Sequence, residues 1–234
     1  MAFNYTQIFR TSYALSNTLA GTNLRTGDKE DEMQVKALKL HMSDIERAMF
    51  FGRKAIDNPS STQPTRYTGG LLTELSNVID VATHTVAGQM TEAQFDEYLI
   101  RNIFRFGATE KIAFCGDLAV ANLQRIGKAR WQPTVIEGSY GVKLVRYTTY
   151  AGDLLVHLHP QFRQIPNMHN AMVLLDFPHL KYRYMEGRDT QLLKDRQGPS
   201  SDSKQHEYLT ECGLELLQDR THTVIRNWNT VVAS

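Results

Sequence analysis

No stretch of this chain holds about eighteen consecutive apolar residues, the length a membrane-spanning helix needs, so no membrane insertion is expected. Residues 1–20 lack the basic-then-apolar order of a secretory signal, which argues against export. Acidic and basic side chains nearly cancel, 25 against 26, leaving a formal net charge of +1 and a pI near 7.8. Without a broad positive field, any contact with nucleic acid has to be local. Cysteine is scarce: Cys115 and Cys212 lie far apart, each beside apolar residues, and read as two buried thiols in a reducing compartment rather than a disulfide.

Catalytic signatures are missing too. "GSYG" at 138–141 is not G-x-S-x-G, no glycine-rich phosphate loop precedes a Lys-Ser or Lys-Thr, and neither H-E-x-x-H nor paired C-x-x-C occurs. The strongest metal pattern is "HLH", whose spacing sets His157 and His159 on one face of a strand, with His169 and His179 downstream. No carboxylate is placed to complete the set, so a polar strand face is the preferred reading and no metal or cofactor is expected. Gly69 and Gly70, ahead of a short helix, could offer backbone amides to an anion, but a plain turn explains them better. The acidic pairs Asp31/Glu32 and Asp44/Glu46 fit the solvated face of a helix.

With 234 residues, 41% of them hydrophobic, the chain can bury one sizeable core or two small ones. Its clearest element is a helix over 28–56. Asp28 can cap it, Glu30, Asp31 and Glu32 fill its first turn, and Arg53 and Lys54 sit at its end, all matching the helix dipole. Val35, Leu38, Met42, Ile45 and Met49 recur at helical spacing and predict one apolar stripe, laid against a sheet, on a rod of roughly 40 Å. A polar loop follows over 57–68, then "GGLLTELSNVI" as a short helix. Thr91 and Gln94 form a capping box for a helix to about Phe106, with Phe95, Leu99, Ile103 and Phe106 as its stripe and Gly107 as its stop.

From there the period shortens. "EKIAFCG" is a strand turning at Gly116 into an Asp117-started helix ending at Gly127, and further strands are expected at 142–150, 154–159 and 171–177, resuming at 180–185. "RQGPSSDSKQ" reads as a loop, and "EYLTECGLELLQ" and "HTVIRNW" as closing strands. The class is α+β. "NYTQIF", alternating Tyr5, Gln7 and Phe9 with Thr6, Ile8 and Arg10, reads as a strand two residues into the chain, where no upstream partner exists. An unpaired strand invites addition to a neighbour's sheet, which points to an assembly.

Taken in order, "NYTQIF", "DKEDE", "GGL", "EKIAFCG", "YGVKLVRYTTYAGDLLVHLHPQF", "AMVLLDFPHLKYRYM" and "ECGLELLQDRTHTVIRNW" resemble the major capsid proteins of tailed phages, which have the Hong Kong 97-type fold. The resemblance implies an extended-loop strand at 1–27, a peripheral domain with its spine helix at 28–109, an axial domain at 110–185, and a return to the peripheral domain at 186–234. It also implies that the N-terminal arm and the outgoing half of the extended loop do not precede this strand. The implied function is structural: hexamers and pentamers of a homo-oligomeric icosahedral shell in a virion, assembled in the host cytoplasm around double-stranded DNA held by weak non-specific contacts. A scaffold or decoration protein is a possible partner. No catalytic residue is implied; Tyr5, Gln7, Phe9, Arg10, Arg47, Arg53, Arg146 and Arg183 are the candidate subunit contacts. The rival readings are a cellular nanocompartment shell of the same fold and a metal-dependent enzyme using His157 and His159.

Overall fold

The computed structural model describes residues 3–20, 29–84, 88–126, 131–132 and 144–231. Asp28, Gly127 and the "GSYG" stretch lie outside them. The chain divides into two compact units, Met1–Glu74 with Tyr182–Glu215 and Leu75–Lys181 with Leu216–Ser234. This division differs from the expected one: residues 75–109 and 216–234 belong with the strands of 110–181. The reason is pairing, because Val78–Asp80 lies parallel to Thr223–Arg226, and the latter is hydrogen-bonded to Met172–Leu175.

In the first unit a helix, Lys29–Phe51, lies on a four-stranded sheet. The strand that opens the chain, Gln7–Ser16, is not an orphan. It pairs antiparallel with Ser203–Leu216 over ten residues, Gln7 opposite Cys212 through Ser16 opposite Ser203. Its partner is downstream, so residues 7–16 form part of this sheet rather than a separate arm. Odd-numbered residues of the strand face the helix and even-numbered ones face away, as period-two geometry requires.

Three layers join helix and sheet. Ala37 packs with Tyr13 and Tyr208, and Ile45 packs with Phe9 and Cys212. Between them His41, fully buried, meets the Thr11 hydroxyl at 3.0 Å through Nδ1 and the Thr210 hydroxyl at 2.7 Å through Nε2. The covered face is thus Ala37, His41 and Ile45, of which only Ile45 belongs to the expected stripe. Leu38 and Met49 flank it, but Val35 and Met42 are 52% and 43% exposed. Hydrophobic spacing located two apolar faces and merged them into one, because a histidine does not register as a core residue.

The helix ends at Phe51, short of Ile56. Gly52 and Gly70 cross there: Gly70 N–H donates to Gly52 O at 2.9 Å, and a Cβ on Gly52 would lie 2.5 Å from Thr68 O. Arg53 and Lys54 therefore fall beyond the helix, Lys54 Nζ donating instead to Glu74 and to Phe3 O, both at 3.1 Å. Gly69 N–H donates to Asn4 Oδ1 at 2.7 Å, so these glycine amides serve a turn, not an anion. The expected 57–68 loop begins and ends in a short hairpin, Ala55–Asp57 with Thr65–Tyr67.

The second unit is built on a seven-stranded mixed sheet. Its order is Val78–Asp80, Thr223–Arg226, Met172–Leu175, Glu110–Cys115, Asp153–Leu158, Val145–Thr148 and Trp131–Gln132. "SNVI" is therefore edge strand rather than helix. A helix over Asp117–Ile126 and one over Glu92–Tyr98 bury Ala119, Leu123 and Phe95 in a core with Leu154, Met172 and Trp228. Phe95 stacks on Trp228 with ring centres 5.3 Å apart. The capping box forms as expected, Gln94 N–H donating to Thr91 Oγ1 and Thr91 N–H to Gln94 Oε1. The helix does not run regularly to Phe106: Leu99–Ile103 widens into a π turn and Phe106 is exposed. Among the described residues no helix is long and apolar enough to cross a membrane.

Candidate functional site

The outward face of the first unit's sheet is ionic. Glu207, Glu211 and Glu215 recur every four residues along Ser203–Leu216, and each holds arginine: Arg10 at 3.4 Å and Arg196 at 3.9 Å on Glu207, Arg188 at 2.8 Å on Glu211, Arg183 on Glu215. Two of the candidate contacts, Arg10 and Arg183, are therefore paired within the chain. Phe9 is buried against the helix, and Gln7 Oε1 accepts from Thr68 N–H at 3.1 Å. Tyr5 is half-buried, edge-on to Phe3 at 5.2 Å.

The helix face turned from the sheet is different. Val35 and Met42, seven residues apart and so on one line, are exposed, and a shallow hollow of about 560 Å³ lies among Leu38, Lys39, Met42, Ser43 and Glu46. Arg47, on the helix, and Arg53, just past it, are exposed and make no ion pair among the described residues. At the helix start Glu32 bonds both Lys29 and Lys36, which hold its carboxyl down to about 2.

In the second unit Arg146 spans Glu110 at 3.5 Å and Asp153 at 3.7 Å. His157 lies in its strand and His159 just past the end, with ring centres 6.3 Å apart and both edge-on to Phe114. His169 bonds Asp117 at 2.9 Å and His179 bonds Asp176 at 3.1 Å, so the four imidazoles do not converge. Among the described residues no three His, Cys, Asp or Glu side chains are grouped to hold a metal.

A buried ionic knot went unanticipated. Lys111, 1% exposed, donates through Nζ to Ile103 O at 2.6 Å, Phe106 O at 2.9 Å and Thr221 O at 2.6 Å. Burial pulls its pKa below the usual lysine value, with Asp176 opposing the shift. Asp176 Oδ2 accepts from Ala108 N–H at 2.9 Å, and His222 Nδ1 accepts from Asp176 N–H at 3.1 Å, which places the proton of this neutral imidazole on Nε2. Burial also holds His222 below the ordinary histidine pKa. The signal for Lys111 was present: in "EKIAFC" it shares its face with Ala113 and Cys115, the two other buried positions of that strand.

The sequence profile of the SU10 major capsid protein family matches residues 1–229. A major capsid protein of Pseudomonas phage PaMx41 is 26% identical over 205 residues, covering 83% of this chain and 49% of that protein; the chain thus spans about half the length of this curated relative. Two solved structures share the fold. The capsid of an empty GTA particle aligns with 94% of this chain and 73% of its own, at 9% identity and a TM-score of 0.62. The holo-SrpI encapsulin complex of Synechococcus elongatus PCC 7942 aligns with 96% and 74%, at 16% identity and a TM-score of 0.59.

Proposed function

Because this chain belongs to the SU10 major capsid protein family and carries the Hong Kong 97-type fold, we propose that it is a shell subunit. Copies associate into hexamers and pentamers of an icosahedral shell around double-stranded DNA, assembled in the host cytoplasm with or without a scaffold or decoration protein. The match across residues 1–229 carries this reading. The role is structural, and no residue is assigned to catalysis.

Two surfaces fit contacts between copies. The exposed helix line at Val35 and Met42, beside its hollow, supplies apolar area to bury against a second copy. Of the candidate contacts, Arg47 and Arg53 hold no carboxylate among the described residues and are free to cross to a neighbour. Arg10, Arg146 and Arg183 would have to exchange carboxylates they already hold. In terms of the implied domains, the first unit corresponds to the peripheral domain and the second to the axial domain.

Light scattering with negative-stain imaging of the purified chain tests this. Megadalton rings or shells support it; a monodisperse species near 26.7 kDa that stays monomeric at high concentration overturns it for this chain. The nanocompartment reading rests on fold likeness alone. Nuclease-protected DNA inside the particles would favour a virion, and protected protein cargo a compartment.

A further inference from the structure

The second unit carries a hollow of about 300 Å³ walled by Arg101, Arg105 and Arg220, with Asn77, Asn102 and Phe106 between them. In a chain whose net charge is +1, three guanidinium groups on one concavity are a local concentration of positive charge. Among the described residues one carboxylate is ion-paired with it. Glu97 pairs with Arg101 at 2.9 Å, but both side chains are more than half exposed. Asp219, next to Arg220, is hydrogen-bonded by Ser76, whose N–H donates to it at 3.1 Å and whose hydroxyl also bonds it, and it makes no ion pair with Arg220. Arg105 lies over the Phe106 ring at 5.3 Å, and neither it nor Arg220 has a carboxylate partner among the described residues.

The walls are fixed in advance. The π turn at Leu99–Ile103 carries Arg101 and Asn102, and the chain leaving it carries Arg105 and Phe106. Lys111 ties this segment to the Arg220 segment, since its buried ammonium takes the carbonyls of Ile103 and Phe106 on one side and of Thr221 on the other. Asn77 is fastened to the same strand end, its Nδ2 donating to His222 O at 3.2 Å and Thr223 Oγ1 at 2.9 Å. Just past Phe106, Gly107 sits at φ +88°, where a Cβ would lie 2.2 Å from Asp176 Oδ2. Tying these backbone segments before a ligand arrives leaves mainly side-chain ordering as the cost of binding.

We propose that this hollow binds backbone phosphates of duplex DNA, an inference that rests on the shell reading for its source of DNA. The guanidinium fork matches phosphate oxygens in bidentate fashion, and Asn102 adds a neutral donor. Three cations carried on tied backbone segments exceed what a single carboxylate neutralises. A duplex presents a charge about every 1.7 Å of its axis, so more than one phosphate reaches the cluster together. Such contacts position the duplex without reading its sequence.

The test is fluorescence anisotropy of a labelled mixed-sequence duplex with the intact chain and with R101Q/R105Q/R220Q, across a salt series, alongside R66Q/R163Q, two exposed arginines outside every contact described above, as control. The triple variant should bind about ten-fold more weakly or worse at low salt, with the slope of log K against log salt reduced by about 2 to 3, while the control stays within two-fold of the parent. A triple variant with parental affinity and slope overturns the proposal. So does poly-glutamate displacing the duplex at equal charge concentration, which would assign the hollow to an acidic polypeptide. Particle mass is read on the same samples: variants that form particles but lose DNA affinity support the site, whereas a parent chain that binds DNA without forming particles defeats the shell reading alone. Unchanged circular dichroism and melting of the triple variant make lost affinity attributable to the arginines.

Discussion

His41 shows how much one polar side chain can decide. It occupies the middle of the helix–sheet contact, between the Ala37 and Ile45 layers, with a threonine hydroxyl on each ring nitrogen. His41→Ala removes both bonds and opens a cavity, so it should cost about 2–4 kcal/mol of stability, read as a lower urea midpoint at unchanged m-value. Lys111 is the counterpart in the second unit. Lys111→Met leaves three buried carbonyls without their donor and should cost about 3 kcal/mol or more. It should also weaken duplex binding although Lys111 does not line the hollow, because the arginine-bearing segments lose their common tie. His41 was not legible as structural, and Lys111 only through the face it shares with Ala113 and Cys115: composition scales count histidine and lysine as surface residues, and the three-dimensional supply of hydroxyls and carbonyls makes them core.

At the scale of elements, the sequence was readable where local chemistry dominates. The Thr91/Gln94 capping box, the strand at 110–115 and the helix after Gly116 all appear as expected. It was misleading where long-range packing decides. The long helix stops at Phe51 because Gly52 must pass close to the backbone at 68–70, which helical periodicity does not encode. Val35 and Met42 looked like core because spacing identifies an apolar line without saying what covers it. That error has an experimental use. Met42→Glu should leave stability within about 0.5 kcal/mol, as expected for an exposed site, yet abolish particle formation if the helix line is buried between copies. The measurement is particle mass beside a thermal melt of the same variant. Of the candidate contacts, the arginines paired across the sheet face could not be told apart from free ones by sequence, since Glu207, Glu211 and Glu215 lie far along the chain from Arg10.

At the scale of the whole molecule, two buried histidines in separate units respond to acid alike. Burial holds both His41 and His222 below the ordinary histidine value of 6.5. As pH falls through 6.5 the unfolded chain takes up protons that the native chain refuses, so stability declines until the native imidazoles also protonate. Urea midpoints should therefore drop between pH 7.5 and 5.5, with a shallower slope in His41→Ala.

The ten-residue pairing of Gln7–Ser16 with Ser203–Leu216 also sets a timetable. The helix side chain of His41 waits for Thr210, 169 positions later, before its second bond can form. During synthesis the helix at 29–51 and the strand at 7–16 emerge before residues 203–216 and cannot close their sheet until those residues have followed. Contacts of such long sequence separation fold slowly. A polysome therefore carries nascent chains whose first unit is incomplete, and association between neighbours along one message is deferred until residues 203–216 of each have been made.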